Sequence, residues 1–181
     1  MNSFGKLRPI RSDELELMLS WRNAPAVRMN MYTRHEIPLS EHMAWWAKAQ
    51  NNDCQKYFMY EFRGISSGIV GFSEIDKVNN NACWAFYAAP EAPKGTGSRI
   101  EYLALDYAFT KLKVHKLYCE VLAFNNPVIK LHRKFGFKEE GVFREQHIID
   151  EGYVDIYRLG ILAEEWMANM EQMREKISSF L

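Results

Sequence analysis

The sequence is poor in cysteine and has no excess of charge of either sign. Its three cysteines, Cys54, Cys83 and Cys119, stand far apart in the 181 residues, so neither a disulfide framework nor a cysteine metal site is indicated. Lysine plus arginine and aspartate plus glutamate both number 23, which gives a formal net charge of zero at pH 7. A nucleic-acid-binding domain usually carries a basic excess, so this balance argues against a nucleic acid as partner.

Long apolar runs are also missing. No stretch approaches the roughly 18 apolar residues that a membrane-spanning helix needs. Residues 1–14 lack the apolar run of a signal peptide. We therefore predict a cytoplasmic protein that has no membrane partner. The length suits a single domain over residues 1–181.

The first half of the chain predicts one strand, two helices and then three strands. Residues 4–10 suit a short strand, and Ser12 and Ser40 are candidate N-caps of the two helices. The apolar period then changes, and alternating segments on either side of Gly64 predict an antiparallel hairpin. A third strand follows over 82–89.

The second half predicts one crossover, a closing hairpin and a final helix. An apolar stripe after residues 93–99 indicates a helix, a strand follows it, and a short helix runs from Asn126 to a stop at Gly136. Alternating segments around Gly152 predict the hairpin. The fold class is therefore mixed α/β (α+β). The last helix, about 163–178, has an apolar stripe that needs a surface of its own domain or of a second subunit in a homo-oligomer, and this stripe consists of Trp166, Met170, Met173 and Ile177.

The stretch PKGTGSR, residues 93–99, places Gly95 and Gly97 directly before the crossover helix. Glycine lets backbone N–H groups approach a ligand without obstruction by a Cβ atom. The start of the helix adds unpaired N–H groups and the positive end of the helix dipole. The stretch is neither a P-loop, since the Gly-Lys-Ser/Thr ending is missing, nor the G-x-G-x-x-G fingerprint, since position 100 is Ile. The pattern predicts a pyrophosphate site.

A second stretch, NNPVIKLHRKFGF at 125–137, lies one strand and one helix later. Together the two stretches resemble the Gcn5-related N-acetyltransferase (GNAT) superfamily, whose loop binds the pyrophosphate of acetyl-CoA. The resemblance implies a central, mostly antiparallel, twisted sheet that is splayed at the acetyl-CoA site and flanked by helices. The positions that match the second pattern of the superfamily are Asn125, Ile129, Leu131, Lys134, Gly136 and Phe137.

The resemblance implies acetyl-CoA as co-substrate and no metal. One departure is Ala92, which stands where the loop usually has Gln or Arg, so a side-chain contact to phosphate is missing there. A strand over 86–89 is expected to hold the pantetheine arm. The residues expected to bind acetyl-CoA are Phe86, Tyr87, Ala88, Lys94, Gly95, Thr96, Gly97, Ser98, Arg99, Asn125 and Lys134.

The resemblance also suggests catalytic residues. His132 stands where the superfamily often has the tyrosine that protonates the leaving thiolate, so His132 is either the general acid or a side chain that only lines the cleft. In many relatives a glutamate on the third strand acts as the general base, and this chain has Cys83 at that position. Glu74 is the substitute expected as general base, with Asp76 as a second candidate, and the alternative is that both only form a solvated strand end.

The N-terminal third is expected to select the amine. It mixes cationic side chains with apolar and aromatic ones, which suits the diphosphate and the rings of a nucleotide-sugar. The segments WRN, NMYT, EHMAWW and KYFMYEF resemble the sequences of the N-acetyltransferases of pseudaminic acid biosynthesis. These enzymes acetylate the 4-amino group of UDP-4-amino-4,6-dideoxy-N-acetyl-β-L-altrosamine, a sugar destined for flagellin. The resemblance implies that Met31, Tyr32 and His42 line the sugar pocket. A cation such as His42 or Arg34 is expected to meet the diphosphate.

Other functions stay open at this point. The layout also resembles the branch that acetylates the N-termini of ribosomal proteins, and polyamine acetyltransferases share the scaffold. A polyamine enzyme should present an acidic acceptor pocket, whereas this segment is basic and aromatic. A non-catalytic module that binds acyl-CoA is the alternative from another class.

Overall fold

The computed structural model describes residues 4–179. Within this part of the chain, seven strands form one sheet: β1 (Lys6–Pro9), β2 (Lys56–Phe62), β3 (Ile65–Asp76), β4 (Asn81–Ala88), β5 (Lys116–Leu122), β6 (Lys138–Ile149) and β7 (Gly152–Leu162). The α-helices are α1 (Leu15–Asn23), α2 (Pro25–Arg28), α3 (Leu39–Ala49), α4 (Thr96–Tyr107), α5 (Asn126–Lys134) and α6 (Ala163–Ser178).

The sheet order is β1-β2-β3-β4-β5-β7-β6, and every neighbouring pair is antiparallel except β4 and β5. That parallel pair is short, because it runs only from Asn81 opposite Lys116 to Cys83 opposite Tyr118. Beyond it, β4 stays paired with β3 as far as Ala88, and β5 stays paired with β7 as far as Leu122. The two halves of the sheet therefore separate after Cys83. The predicted mixed fold and its splayed sheet are confirmed.

The sheet buries apolar residues on both faces. Val70, Phe72 and Trp84 belong to the larger core cluster, to which α4 and α6 also contribute. Met59 and Ile69 belong to a smaller cluster with residues of α1. Successive strand residues point to opposite faces. The helices α4 to α6 and the helices α1 to α3 thus cover opposite sides of the sheet.

The predicted serine caps are wrong. The short 3₁₀ helix Ser12–Glu14 begins after Arg11, whose N–H donates to Glu14 Oε2 at 3.0 Å. The Glu14 carboxylate, three residues after Arg11, thus accepts a hydrogen bond at the helix start that Ser12 was expected to cap. Helix α3 begins at Leu39 after the extended Pro38, so Ser40 lies inside its first turn.

The last helix packs on its own domain. Trp166, Met173 and Ile177 are buried in the larger core, and the Trp166 ring meets Tyr102 edge-on at 5.4 Å. This apolar stripe accordingly has its partner surface within the same chain. Among residues 4–179, no helix combines the length and the apolar character that crossing a membrane requires.

Candidate active site

The loop before α4 has the geometry of an anion site. Gly95, the N-cap of α4, has a φ of +84°, a left-handed conformation that favours glycine. Within residues 4–179, the backbone N–H groups of Gly95, Gly97 and Ser98 donate no hydrogen bond. Three donors at the positive end of a helix dipole suit a pyrophosphate.

The two other residues of this loop that were expected to donate have their N–H groups occupied. The Thr96 N–H bonds the Pro93 carbonyl at 3.2 Å, and the Arg99 N–H bonds the Gly95 carbonyl at 3.1 Å. The Arg99 side chain is buried, and its Nη1 donates to the Lys94 carbonyl at 3.2 Å. The Arg99 side chain consequently stabilises the loop through the Lys94 carbonyl, and the Lys94 side chain is exposed.

Substitution of Gly97 would not affect ligand binding alone, although the residue lies in the loop. A Cβ atom at Gly97 would lie 3.2 Å from Leu131 Cδ2. Substitution there would disturb the packing of α4 against α5 as well as any ligand. Gly95 is the better probe, since it combines the left-handed φ with ordinary van der Waals distances around its Cβ position.

A cleft of about 380 Å³ opens where β4 and β5 separate, and α5 forms part of its wall. The Ala89 N–H bonds the Ser67 carbonyl, so by the alternation of an antiparallel ladder Tyr87 also faces β3. The backbone groups of Phe86 and Ala88 are then directed towards the cleft, where a pantetheine amide could pair with them. Asn125, at the start of α5, lines the same cleft, and Lys134 at its end is exposed.

His132 lines this cleft from α5, and it is almost completely buried at 2 % exposure. Its Nδ1 lies 2.8 Å from Oε1 of Glu101, which is fully buried on α4. Burial raises the pKa of Glu101, and the neighbouring imidazole opposes that rise. The Trp84 and Phe137 rings pack around the imidazole.

A second cavity, of about 330 Å³, adjoins the cleft on the side of α1 and α3. His42 and Trp45 of α3 stack in its wall at 5.4 Å between ring centroids, and Arg22 and Tyr57 add polar groups to the lining. The residues that line both cavities are Met31, Ala85, Phe86 and Tyr87.

This second cavity contains polar atoms without partners. Arg22 Nη2 donates to the Thr33 carbonyl at 2.9 Å, but its buried Nη1 and the buried Nε2 of His42 have no partner among the described residues. Burial lowers the pKa of both groups. The guanidinium starts from 12.5 and stays charged, whereas histidine starts from 6.5 and is neutral at pH 7. The charge expected of His42 is therefore supplied by Arg22.

The structure separates the four residues expected to bind the substrate. Met31 and His42 line the second cavity, but Tyr32 and Arg34 do not. The Tyr32 hydroxyl donates to Glu120 Oε2 at 3.1 Å. Arg34 lies nearer the β6–β7 hairpin, where its Nη1 is 3.6 Å from Asp150.

The carboxylate beside the splay is Glu120, which sequence reasoning did not single out. It lines the cleft and accepts from Arg158 Nη1 at 3.1 Å. Glu74 instead accepts from the Tyr118 hydroxyl at 2.7 Å and lines a separate pocket at the start of β4, together with Asp76. Alternation along β5 could have signalled Glu120, because Cys119 and Val121 alternate with it. No comparable local signal pairs Glu101 with His132.

Comparison with known proteins agrees with this geometry. The family described as acetyltransferase (GNAT) domain matches residues 6–138. The chain belongs to this family and is an acetyl-CoA-dependent N-acetyltransferase. It is 29% identical to the spermidine N(1)-acetyltransferase of Escherichia coli (strain K12) over 164 residues, which cover 90% of this chain and 88% of that enzyme. It is 30% identical to the acetyltransferase PseH of Campylobacter jejuni (strain 81-176) over 129 residues, or 71% of this chain and 79% of that one.

Solved structures include the spermidine N-acetyltransferase of Vibrio cholerae in complex with CoA and spermine. Its TM-score is 0.86 at 27% identity, and the match covers 92% of this chain and 99% of that one. The fold of a CoA-bound relative therefore extends over nearly the whole chain. Relatives that differ in name share the scaffold, so the acceptor has to be inferred from this chain's own pocket.

Proposed function

We propose that this enzyme acetylates the 4-amino group of a UDP-linked 4-amino-4,6-dideoxy sugar, the step that pseudaminic acid biosynthesis requires for flagellin glycosylation. The observation that carries the proposal is the buried Arg22 Nη1 without a partner in the cavity beside the acetyl-CoA cleft. A buried charged donor is costly unless it is paired, and the phosphate of a nucleotide-sugar is a partner that guanidinium recognises well. Trp45 and Tyr57 add flat surfaces for the rings.

A polyamine suits this cavity less well. The lining contains one carboxylate, Glu41, which is exposed and lies 3.5 Å from His35 Nε2. A polyamine carries several positive charges, and the Arg22 guanidinium would repel them. Similarity to spermidine acetyltransferases supports the scaffold and the use of acetyl-CoA, whereas the charge in the pocket favours an anionic acceptor.

The two sides of the sheet suggest a division of the chemistry. Acetyl-CoA, when bound, supplies the acetyl group as an activated thioester. The amine would approach from the cavity of α1 and α3, and Glu120 would receive its proton beside the splay. His132, on the opposite face with α5, would donate a proton to the departing sulfur. The backbone of Phe86 and Ala88 would fix the donor between them.

A substrate panel tests the proposal. Purified protein is incubated with acetyl-CoA and one of three acceptors: UDP-4-amino-4,6-dideoxy-N-acetyl-β-L-altrosamine, spermidine or a ribosomal N-terminal peptide. Release of the CoA thiol gives the rate, and mass spectrometry locates the acetyl group. We expect the highest kcat/KM for the UDP-sugar. Efficient turnover of spermidine or of the peptide without turnover of the sugar would reject this substrate class. Absence of thiol release with all three acceptors would reject the UDP-sugar and both rivals.

A further inference from the structure

The pairing of Glu101 with His132 asks for an explanation beyond packing. Both side chains are buried, their nearest atoms are 2.8 Å apart, and the second carboxylate oxygen, Oε2, has no partner among residues 4–179. A buried carboxylate is unfavourable without strong compensation. This glutamate contacts the histidine that lines the acetyl-CoA cleft. Its position therefore indicates an effect of Glu101 on the orientation and charge of that histidine.

The geometry leaves one imidazole nitrogen for the cleft. Nδ1 is engaged by Glu101, which leaves Nε2 as the ring nitrogen available to a ligand in the cleft that His132 lines. The Trp84 and Phe86 rings approach the imidazole edge-on, with centroids at 5.4 and 6.2 Å, and they hold its orientation. The other titratable side chains that line this cleft are Tyr87 from β4 and Cys119 and Glu120 from β5, and those on α5 itself, Lys130, Arg133 and Lys134, are exposed.

We propose that Glu101 is the positioning residue that makes His132 the proton donor to the CoA sulfur, an inference that rests on the proposed acetyl transfer. The carboxylate accepts the Nδ1–H and stabilises the imidazolium, whose Nε2–H then faces the cleft. As the bond between acceptor nitrogen and acetyl carbon forms and the C–S bond breaks, the amine loses one proton and the sulfur takes one from Nε2. The neutral imidazole keeps its Nδ1–H on Glu101 and is reprotonated from solvent.

Glu101→Gln is the sharpest test, because the amide oxygen can still accept the Nδ1–H but carries no charge. An opposite charge at this distance shifts a titration by about 1–3 pH units. We expect the alkaline limb of the kcat profile to move to lower pH by that amount. In the ligand-free protein, the ¹⁵N NMR titration of the His132 ring should move in the same direction, and His132→Gln assigns that signal. Glu171→Gln removes an equal charge from the surface of α6, 68% exposed, and should move neither curve.

The outcomes separate the two proposals. If the Glu101→Gln variant melts at a lower temperature but retains both the NMR titration and the alkaline limb of the wild type, Glu101 is structural and the inference is overturned. If no amine is turned over, the proposed function fails. The NMR titration of the ligand-free protein then still decides whether Glu101 stabilises the imidazolium. A displaced NMR titration in Glu101→Gln that Glu171→Gln does not show supports stabilisation of the imidazolium by Glu101 in either case, and a displaced alkaline limb of kcat supports proton donation by His132.

Discussion

The cleft that we assign to the acetyl donor and the cavity that we assign to the acceptor meet at β4 but offer different chemistry. The proposed donor side takes its phosphate donors from backbone, the N–H groups of Gly95, Gly97 and Ser98, beside a cleft that the edge of β4 and His132 line. The acceptor cavity presents side chains, among them Arg22 and the imidazole of His42. A backbone site depends on chain geometry and suits any substrate that carries CoA. A side-chain site is free to vary, so we expect specificity to reside on the acceptor side.

The largest expected effect lies where the two regions meet. Glu120→Gln should lower kcat by about 100-fold or more, because general base catalysis typically contributes that much. The loss should be greatest at the pH where the acceptor amine is protonated. Glu74→Gln is the matched control, since Glu74 bonds Tyr118 in a separate pocket. An equal loss in Glu74→Gln would return the general base to the sequence-based candidate.

The donor side is tested by two glycines of similar conformation. Gly95 and Gly64 have φ values of +84° and +81°, and valine is strained at both. Gly95→Val should weaken binding of CoA by about 100-fold, because one or two charge-assisted hydrogen bonds of roughly 1.5–3 kcal/mol each are displaced. Gly64→Val, in the β2–β3 turn, should lower the melting temperature and leave CoA binding unchanged. Calorimetric titration with CoA measures both. Equal affinities would remove the loop from the CoA site.

This difference between the two regions explains what the sequence could predict. The pyrophosphate loop depends on Gly95 and on the start of a periodic helix, and both are local features of the chain. The N-cap predictions failed because Ser12 and Ser40 have the right residue type, whereas Glu14 and Pro38 determine the actual helix starts. Local patterns thus predicted the order of the strands and the glycine loop before α4.

The acceptor side depends on contacts between distant segments. Tyr32 and Arg34 follow Met31 closely in the chain, yet they lie outside the cavity that contains Met31. Glu120 approaches Tyr32 across 88 residues of sequence. Composition cannot distinguish the arginine that lines a cavity from the one that pairs with a hairpin. Only the packing of α1 to α3 against β4 separates these residues.

The acceptor side is tested by two arginines of the same segment. Arg22→Gln should lower kcat/KM for the UDP-sugar by about 10- to 100-fold, the equivalent of a charge-assisted contact of roughly 1.5–3 kcal/mol. The KM for acetyl-CoA should stay the same. Arg34→Gln should change neither constant, since Arg34 lies against Asp150. If Arg34→Gln produces the larger loss, the diphosphate lies near the β6–β7 hairpin and not in the cavity with Arg22.

The smallest effect on turnover at neutral pH is expected from the contact that anchors the acceptor side to the sheet. Glu14, directly before α1, accepts from Arg8 of β1 at 2.7 and 2.8 Å. Arg8 thereby lowers the pKa of Glu14 to about 2. A carboxyl whose pKa is lowered by folding stabilises the protein above its unfolded value near 4.5, and this contribution is lost as the pH falls from there towards 2.

Glu14→Gln should lower the free energy of unfolding at pH 7 by about 3 kcal/mol, since each unit of pKa shift corresponds to about 1.4 kcal/mol. The difference from the wild type should shrink between pH 4.5 and 2, where the wild-type carboxyl itself becomes protonated. Glu16→Gln, at an exposed position of α1, is the control and should change stability little at any pH.

Hydrogen exchange should show α1 opening before α4 in the Glu14→Gln variant, because Glu14 anchors only the acceptor side. Equal opening of α1 and α4 would mean that the two sides unfold as one unit, and the distinction between them would then apply to chemistry and not to stability.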